Sequence, residues 1–310
     1  MRDLFAPRRG NVRAVDGVSF SIGRGEFVGY LGPNGAGKST TVKMLCGILV
    51  PTSGEVRVAG FVPWRERRRY VRRIGVVFGQ RSQLWWDLAV IESFRLLGKI
   101  YGVPKKELAR RLDSLAETMG IERLLHTPAR KLSLGERMRC DLVASLLHQP
   151  EVLFLDEPTI GLDVVAKDAV REFLRHVNRR LGTTILLTTH DLRDVEELCG
   201  RVVVIDRGRV LYDGALDRLR RECAAEEAAE FEFRGDAPDD ALAVLFEGRG
   251  VRIQRLAPHR VRATFDRRNV SSAELVRRVV TRFDVADVQL PGPSIEAIVK
   301  RIYVEGKVGA

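Results

Sequence analysis

The sequence predicts an α/β fold built on a parallel sheet, followed by a smaller α+β domain. Three observations carry this expectation. From about residue 12 to 220, short apolar runs of strand length alternate with helical segments. A glycine-rich run, Gly32-Pro-Asn-Gly-Ala-Gly-Lys38-Ser39, separates one such strand from a helix. Beyond residue 230 the order becomes β-α-β-β-α-β, the pattern of a small ferredoxin-like appendage.

The elements follow in order. Gly25 to Leu31 reads as a short apolar strand, Lys38 to Leu49 as a helix and Ile74 to Phe78 as a strand. Apolar residues recur at helical spacing after Val90 and from Leu108 to Met119, so a helical subdomain is expected at about 85–150. Val152 to Leu155 and Thr184 to Thr189 are strand-like, with an amphipathic helix from Val164 to Leu181 between them. Residues 222–230 (Glu-Cys-Ala-Ala-Glu-Glu-Ala-Ala-Glu) read as a linker. The expected domains are therefore 1–221 and 231–310.

Composition narrows the classes. No apolar run approaches the length of about 20 residues that a membrane-spanning helix needs, and the N-terminus lacks a secretory apolar core. A soluble, cytoplasmic chain is expected. The four cysteines (Cys46, Cys140, Cys199, Cys223) form no C-x-x-C pair and no metal spacing, so reduced, buried thiols are expected. The net charge is +11, and its densest cluster lies at Trp64 to Arg73. A solvated helix face explains that cluster better than a nucleic-acid surface, and nucleic acid is not expected as a partner.

The chemistry starts at the glycine-rich run. Gly32, Pro33, Asn34, Gly35, Ala36 and Gly37 can wrap backbone N–H groups around phosphate oxygens, and the helix starting at Lys38, Ser39 and Thr40 aims its positive end at the same anion. Lys38 should reach the β and γ phosphates, and the Ser39 hydroxyl should reach Mg²⁺. Downstream, Val152-Leu-Phe-Leu-Asp156-Glu157 is an apolar strand ending in two acids. Asp156 should hold Mg²⁺, and Glu157 is placed to activate the attacking water as general base. Ser133 and Glu136 form an S-x-x-E capping box at the start of a helix running to about His148.

At this point the sequence resembles a family. Asp156-Glu-Pro-Thr-Ile-Gly-Leu-Asp163 resembles the second nucleotide motif and D-loop of ABC ATPases. Lys131-Leu-Ser133-Leu134-Gly135-Glu136 is similar to their signature segment, with leucine and glutamate where glycine and glutamine are usual. Thr188-Thr-His190-Asp resembles their histidine switch, and Gln80 stands where their glutamine loop belongs. These ordered motifs span roughly residues 12–215.

The resemblance implies an ATPase that binds ATP and Mg²⁺, with His190 on the γ-phosphate and Gln80 at Mg²⁺ or the attacking water. The signature Ser133, Leu134, Gly135 and Glu136 would close on the γ-phosphate of an opposite subunit, so a homodimer, or a pseudo-dimer, is expected. Either Phe5 or an arginine plane near Arg9 would stack on adenine. Trp85 and Trp86 either cap the helical subdomain or anchor a permease. The run Leu142 to Asp163 and the segment Pro293 to Tyr303 resemble drug-resistance-type exporter ATPases, which work with a separate six-helix permease. The leading expectation is an exporter ATPase held on the inner face of the cell membrane through that permease. Alternatives are a soluble ABC ATPase acting on ribosome or nucleic acid, and an importer ATPase.

Overall fold

Phe27–Leu31 (β1) is buried along its whole length, and Lys38–Leu45 (α1) follows it after the glycine-rich loop. The computed structural model describes residues 13–79, 81–223, 226–236, 239–266, 268–291 and 295–305. Arg67–Tyr70 (α2) is a single turn leading into Ile74–Phe78 (β2). Three helices follow, Val90–Tyr101 (α3), Lys105–Met119 (α4) and Leu134–Leu146 (α5), with short 3-10 turns at Glu122–Leu124 and Ala129–Lys131. Val152–Asp156 (β3), Val164–Leu181 (α6), Thr184–Thr188 (β4), Leu192–Leu198 (α7), Arg201–Asp206 (β5) and Arg209–Ala215 (β6) come next.

The six strands make one sheet in the order β2-β3-β4-β1-β5-β6. The ladders between β2 and β3, β3 and β4, β4 and β1, and β1 and β5 are parallel. Parallel strands covered on both faces should be buried and largely apolar, as β1 and the centres of β3 and β4 are. The helices bury one stripe each: Phe94 and Leu97 on α3, Leu108 and Leu112 on α4, Phe173, Leu174 and Val177 on α6. Each such side chain contributes about 1.5–3 kcal/mol on burial. Register places Asp156 level with Phe78 on one side and Thr188 on the other, and Tyr30 level with Thr188. The carboxyl ends of β1 to β4 thus share one edge, the position where open parallel sheets bind ligands. Among the described residues no helix is long and apolar enough to cross a membrane.

The chain divides into two units between Gly214 and Ala215. The second contains Leu216–Cys223 (α8), Glu226–Phe233 (β7), Asp239–Leu245 (α9), Arg252–Ala257 (β8), Arg260–Asp266 (β9), Ser272–Arg282 (α10), Val285–Gln289 (β10) and Ile295–Glu305 (α11). Its sheet runs β10-β7-β9-β8 with antiparallel ladders between neighbours, around a core that includes Phe231, Phe265, Val261 and Leu275. The expected β-α-β-β-α-β order is present, flanked by α8 and α11, which pack on each other. Two elements differ from expectation. Helix α1 ends at Leu45 rather than Leu49, where Cys46 caps it and Gly47 turns the chain at φ 69. Residues 226–230 are not linker but the first five residues of β7, paired with β9 from Glu226↔Asp266 onward. Glu and Ala favour helix, but cross-strand pairing and the burial of Ala229 outweigh that preference.

Candidate nucleotide site

The loop between β1 and α1 is glycine-rich for reasons of space. A Cβ on Gly32 would lie 2.7 Å from the Ile205 carbonyl oxygen, and one on Gly37 would lie 2.5 Å from that of Ala14. Gly37 is also in the left-handed region (φ 105) and stands at the N-cap of α1, where no side chain caps the helix. The first-turn N–H groups of Lys38, Ser39 and Thr40 are therefore free of a capping side chain, as an anion site requires. The loop is braced from the β5–β6 hairpin, whose Gly208 N–H donates to the Ala36 carbonyl at 3.0 Å. Lys38 is buried, and its ammonium donates to the carbonyls of Gly32 (2.6 Å) and Pro33 (3.2 Å). Burial lowers its pKa, while the nearby charges of Glu157 and Asp156 raise it in part.

The two acids follow β3 directly. Asp156 Oδ1 accepts from the Thr188 hydroxyl of the neighbouring strand and lies 3.4 Å from the Ser39 hydroxyl of α1. Glu157 is a non-glycine residue at φ 57, and its N–H donates to the Thr188 carbonyl at 3.0 Å. A left-handed residue here stores backbone strain, which clusters at functional positions. Its carboxylate Oε2 lies 2.6 Å from His190 Nδ1 and accepts the His190 backbone N–H at 3.3 Å. Gly79 passes close by: its N–H donates to the Asp156 carbonyl at 2.7 Å, and a Cβ on it would stand 2.1 Å from the Glu157 carbonyl oxygen.

A buried polar network supports this edge. Asp194 on α7, with no exposed surface, accepts from Thr159 (2.5 Å), Thr189 (3.3 Å) and Arg171 of α6 (2.6 Å). Lys167 bonds Asp191 at 2.6 Å beside it. The segment after Glu157 and the segment around His190 are thus held on one carboxylate. Neither Asp194 nor Arg171 stood out in the sequence, because their significance lies in contacts between elements.

Ser133, Leu134, Gly135 and Glu136 open α5. The capping box is complete: Glu136 N–H donates to Ser133 Oγ at 3.2 Å, and Ser133 N–H to Glu136 Oε2 at 3.0 Å. The other Glu136 oxygen lies 3.8 Å from Arg123, so its charge is engaged locally. Leu134 sits against Gly161, where a Cβ would be 3.0 Å from its Cδ2, and Gly135 faces Ala166 at 3.1 Å in the same sense. Asp163 caps α6 by accepting from Ala166 N–H at 2.8 Å. Among the described residues no hydrogen bond or ion pair joins 133–136 to the loop at 32–40. Trp85 and Trp86 are 38% and 54% exposed, and it is Leu84 that fills the apolar interior there. Phe5, Arg9 and Gln80 lie outside the described residues.

Comparison with known proteins agrees with this arrangement. The ABC transporter family profile matches residues 15–160, from before the glycine-rich loop to just past Glu157. The daunorubicin resistance ATP-binding protein DrrA3 of Streptomyces coeruleorubidus is 38% identical over 219 residues, covering 71% of this chain and 69% of that relative. The chain belongs to the ATP-binding proteins of ABC transporters. Its first unit is an ABC-type ATPase domain. The probable multidrug ABC transporter ATP-binding protein YbhF of Escherichia coli is 37% identical over 220 residues, which are 70% of this chain but 37% of YbhF. The methionine import ATP-binding protein MetN of Geobacillus kaustophilus is 39% identical over 215 residues, 68% of this chain and 63% of MetN. Among solved structures, the dimeric post-hydrolysis state of the ATP-binding cassette MJ0796, bound to ADP and Pi, matches at 26% identity with a TM-score of 0.59, covering 66% of this chain and 90% of that one. This ABC ATPase domain therefore has relatives named for drug resistance or multidrug transport and relatives named for import.

Proposed function

We propose that this chain hydrolyses ATP as the motor subunit of an ABC exporter, closing as a two-fold dimer around two ATP and driving a separate multi-spanning permease. The observation that carries the reading is the Glu157 carboxylate, placed one residue past Asp156 and held by His190 at 2.6 Å. In this reading the loop N–H groups and Lys38 bind the β and γ phosphates. A water attacks the γ-phosphorus and gives its proton to Glu157 as the bond to the β–γ bridging oxygen breaks, leaving ADP and phosphate. With Nδ1–H donating to Glu157, His190 fixes the carboxylate that faces that water.

The Ser39 hydroxyl and the Asp156 carboxylate, 3.4 Å apart, are hard oxygen donors that suit Mg²⁺, an ion that needs few protein ligands beside phosphates. When bound, Mg²⁺ neutralises charge on the phosphate oxygens; Gln80 is proposed as a further ligand. The signature turn at Ser133 to Glu136 would complete the site of a second subunit, and the MJ0796 dimer supports that arrangement. Exposed Trp85 and Trp86 suit a permease anchor. The names of DrrA3 and YbhF support export, and that of MetN supports the second reading, import. Placement on the inner face of the membrane follows from the permease.

The test uses Glu157→Gln protein expressed in its host and purified from detergent-solubilised membranes with Mg-ATP. Recovery of a stoichiometric multi-spanning membrane protein is the expected result, and reconstitution of the pair reads the direction of transport. Recovery only from the soluble fraction, with ribosomes or nucleic acid, would overturn the transporter reading.

A further inference from the structure

Asp141 lies in the middle of α5 and is 4% exposed. A carboxylate buried this far is costly unless donors meet it. Its donors come from the loop that follows β2. The Ser82 hydroxyl donates to Oδ1 at 3.0 Å, and the Gln83 N–H donates to the same oxygen at 2.9 Å. The Gln83 amide also donates to the Asp141 backbone carbonyl at 3.0 Å. Four residues earlier, on the same face of α5, the Arg137 guanidinium lies 5.4 Å from the Trp86 ring centroid. Helix α5 thus grips the loop at two points, one at Ser82–Gln83 and one at Trp86. The far side of the loop is fixed by Trp85 N–H donating to Ser93 Oγ on α3 at 3.1 Å.

The same helix begins at the Ser133 cap, eight residues and about 12 Å before Asp141 at 1.5 Å per residue. An unbroken helix over that distance transmits displacement as a rigid body. We propose that Asp141 is a positioning residue that bolts the exposed Trp85–Trp86 loop to the signature turn, so that closure of Ser133–Glu136 on nucleotide and seating of the loop are one movement. This rests on the reading of that turn as the group that closes on a second subunit's ATP. Asp141 lies outside the motifs at 32–39, 80, 131–136, 156–163 and 188–191, and it touches no reacting atom.

The test uses the full chain carrying Glu157→Gln to hold the ATP-bound state and Trp64→Phe, so that only Trp85 and Trp86 emit. Mg-ATP should shift their emission as the dimer forms. Asp141→Ala should lose most of that shift while ATP affinity stays the same. Asp141→Asn, which retains an acceptor oxygen, should restore much of it, a recovery that mere loss of folding would not give. A folded Asp141→Ala protein with the full ATP-dependent shift would overturn the proposal. Should that variant fail to fold, Ser82→Ala decides: a partial loss supports the bolt, and an intact shift overturns it. Absence of an ATP-dependent dimer in size-exclusion chromatography would overturn the functional reading and this proposal with it. A dimer whose tryptophans do not respond would overturn the bolt alone.

Discussion

His190 Nδ1 lies 2.6 Å from Glu157 Oε2, and the His190 backbone N–H donates to the same oxygen at 3.3 Å. Two contacts from one residue fix one carboxylate oxygen and leave the other available. If Glu157 is the general base, Glu157→Gln should lower kcat by about a hundredfold or more while KM for ATP changes little. His190→Ala removes the side-chain contact but leaves the base, so its kcat should fall by about tenfold. Steady-state ATPase assays measure both. Normal turnover in the glutamine variant would remove Glu157 from the chemistry.

Gly79 constrains the backbone of Glu157 from the β2 side. A methyl group there would stand 2.1 Å from the Glu157 carbonyl oxygen, and the contact is backbone, which cannot swing aside. Gly79→Ala must therefore shift Glu157 or break the Gly79 N–H to Asp156 carbonyl bond. We expect a loss of about 1–3 kcal/mol in stability by urea unfolding. A tenfold or greater fall in kcat, of the size that about 1 Å of misplacement causes, should accompany it. Wild-type kinetics in this variant would show that the site tolerates movement of Glu157.

Much of this site is legible in the sequence because its chemistry is local. The loop from Gly32 to Ser39, the Asp156–Glu157 pair and the Ser133–Glu136 box each lie within eight residues, and short apolar runs disclose the strands between them. What the sequence leaves hidden depends on pairing. Thr188 meets Asp156 only because β4 lies beside β3 in one register. Gly79 meets Glu157 only because β2 lies on the other side. Asp194, Arg171 and Asp141 each look like ordinary charged positions on a helix until the facing element is in place. The start of β7 was hidden in the same way, since Glu-Glu-Ala-Ala carries a helical preference that only its partner strand overrides.

Trp85 and Trp86 give a test of docking that separates surface from core. The two residues are 38% and 54% exposed; the Arg137 guanidinium lies 5.4 Å from the Trp86 ring centroid, and the Trp86 carbonyl accepts from Arg130 N–H at 3.0 Å. Changing both to Ala removes the cation–π contact and the apolar area of two half-buried rings, so we expect a loss of about 2–4 kcal/mol with the fold retained. Basal ATPase should persist, and stimulation by the permease should disappear. Thermal unfolding alongside coupled ATPase assays checks both parts. A collapse in melting temperature would return the pair to a structural role.

Asp141 gives the pH prediction. Burial pushes its carboxyl from the ordinary value of 3.8 up to about 6, with the bonds from Gln83 and Ser82 opposing the rise. Below about 3.8 the group is protonated whether the chain is folded or not, and the folded state has the full benefit of burying a neutral acid. As pH rises toward 6 the unfolded chain ionises while the folded one keeps its proton, and that benefit drains away. It is gone once pH has passed through about 6. Within that window stability should fall by about 1.4 kcal/mol per pH unit on account of this group. Asp191 and Glu230, both held below the usual carboxylate range, act in the opposite sense. The effect must therefore be read as a difference between the parent protein and Asp141→Asn. All three tryptophans lie in the first unit, so their fluorescence during urea unfolding follows the unit that contains Asp141. Relative to the Asn variant, the parent should gain stability as pH is lowered from 7 to 5. A difference that stays constant across that range would mean that the Asp141 carboxyl keeps its charge inside α5, stabilised by the loop donors more strongly than burial opposes it.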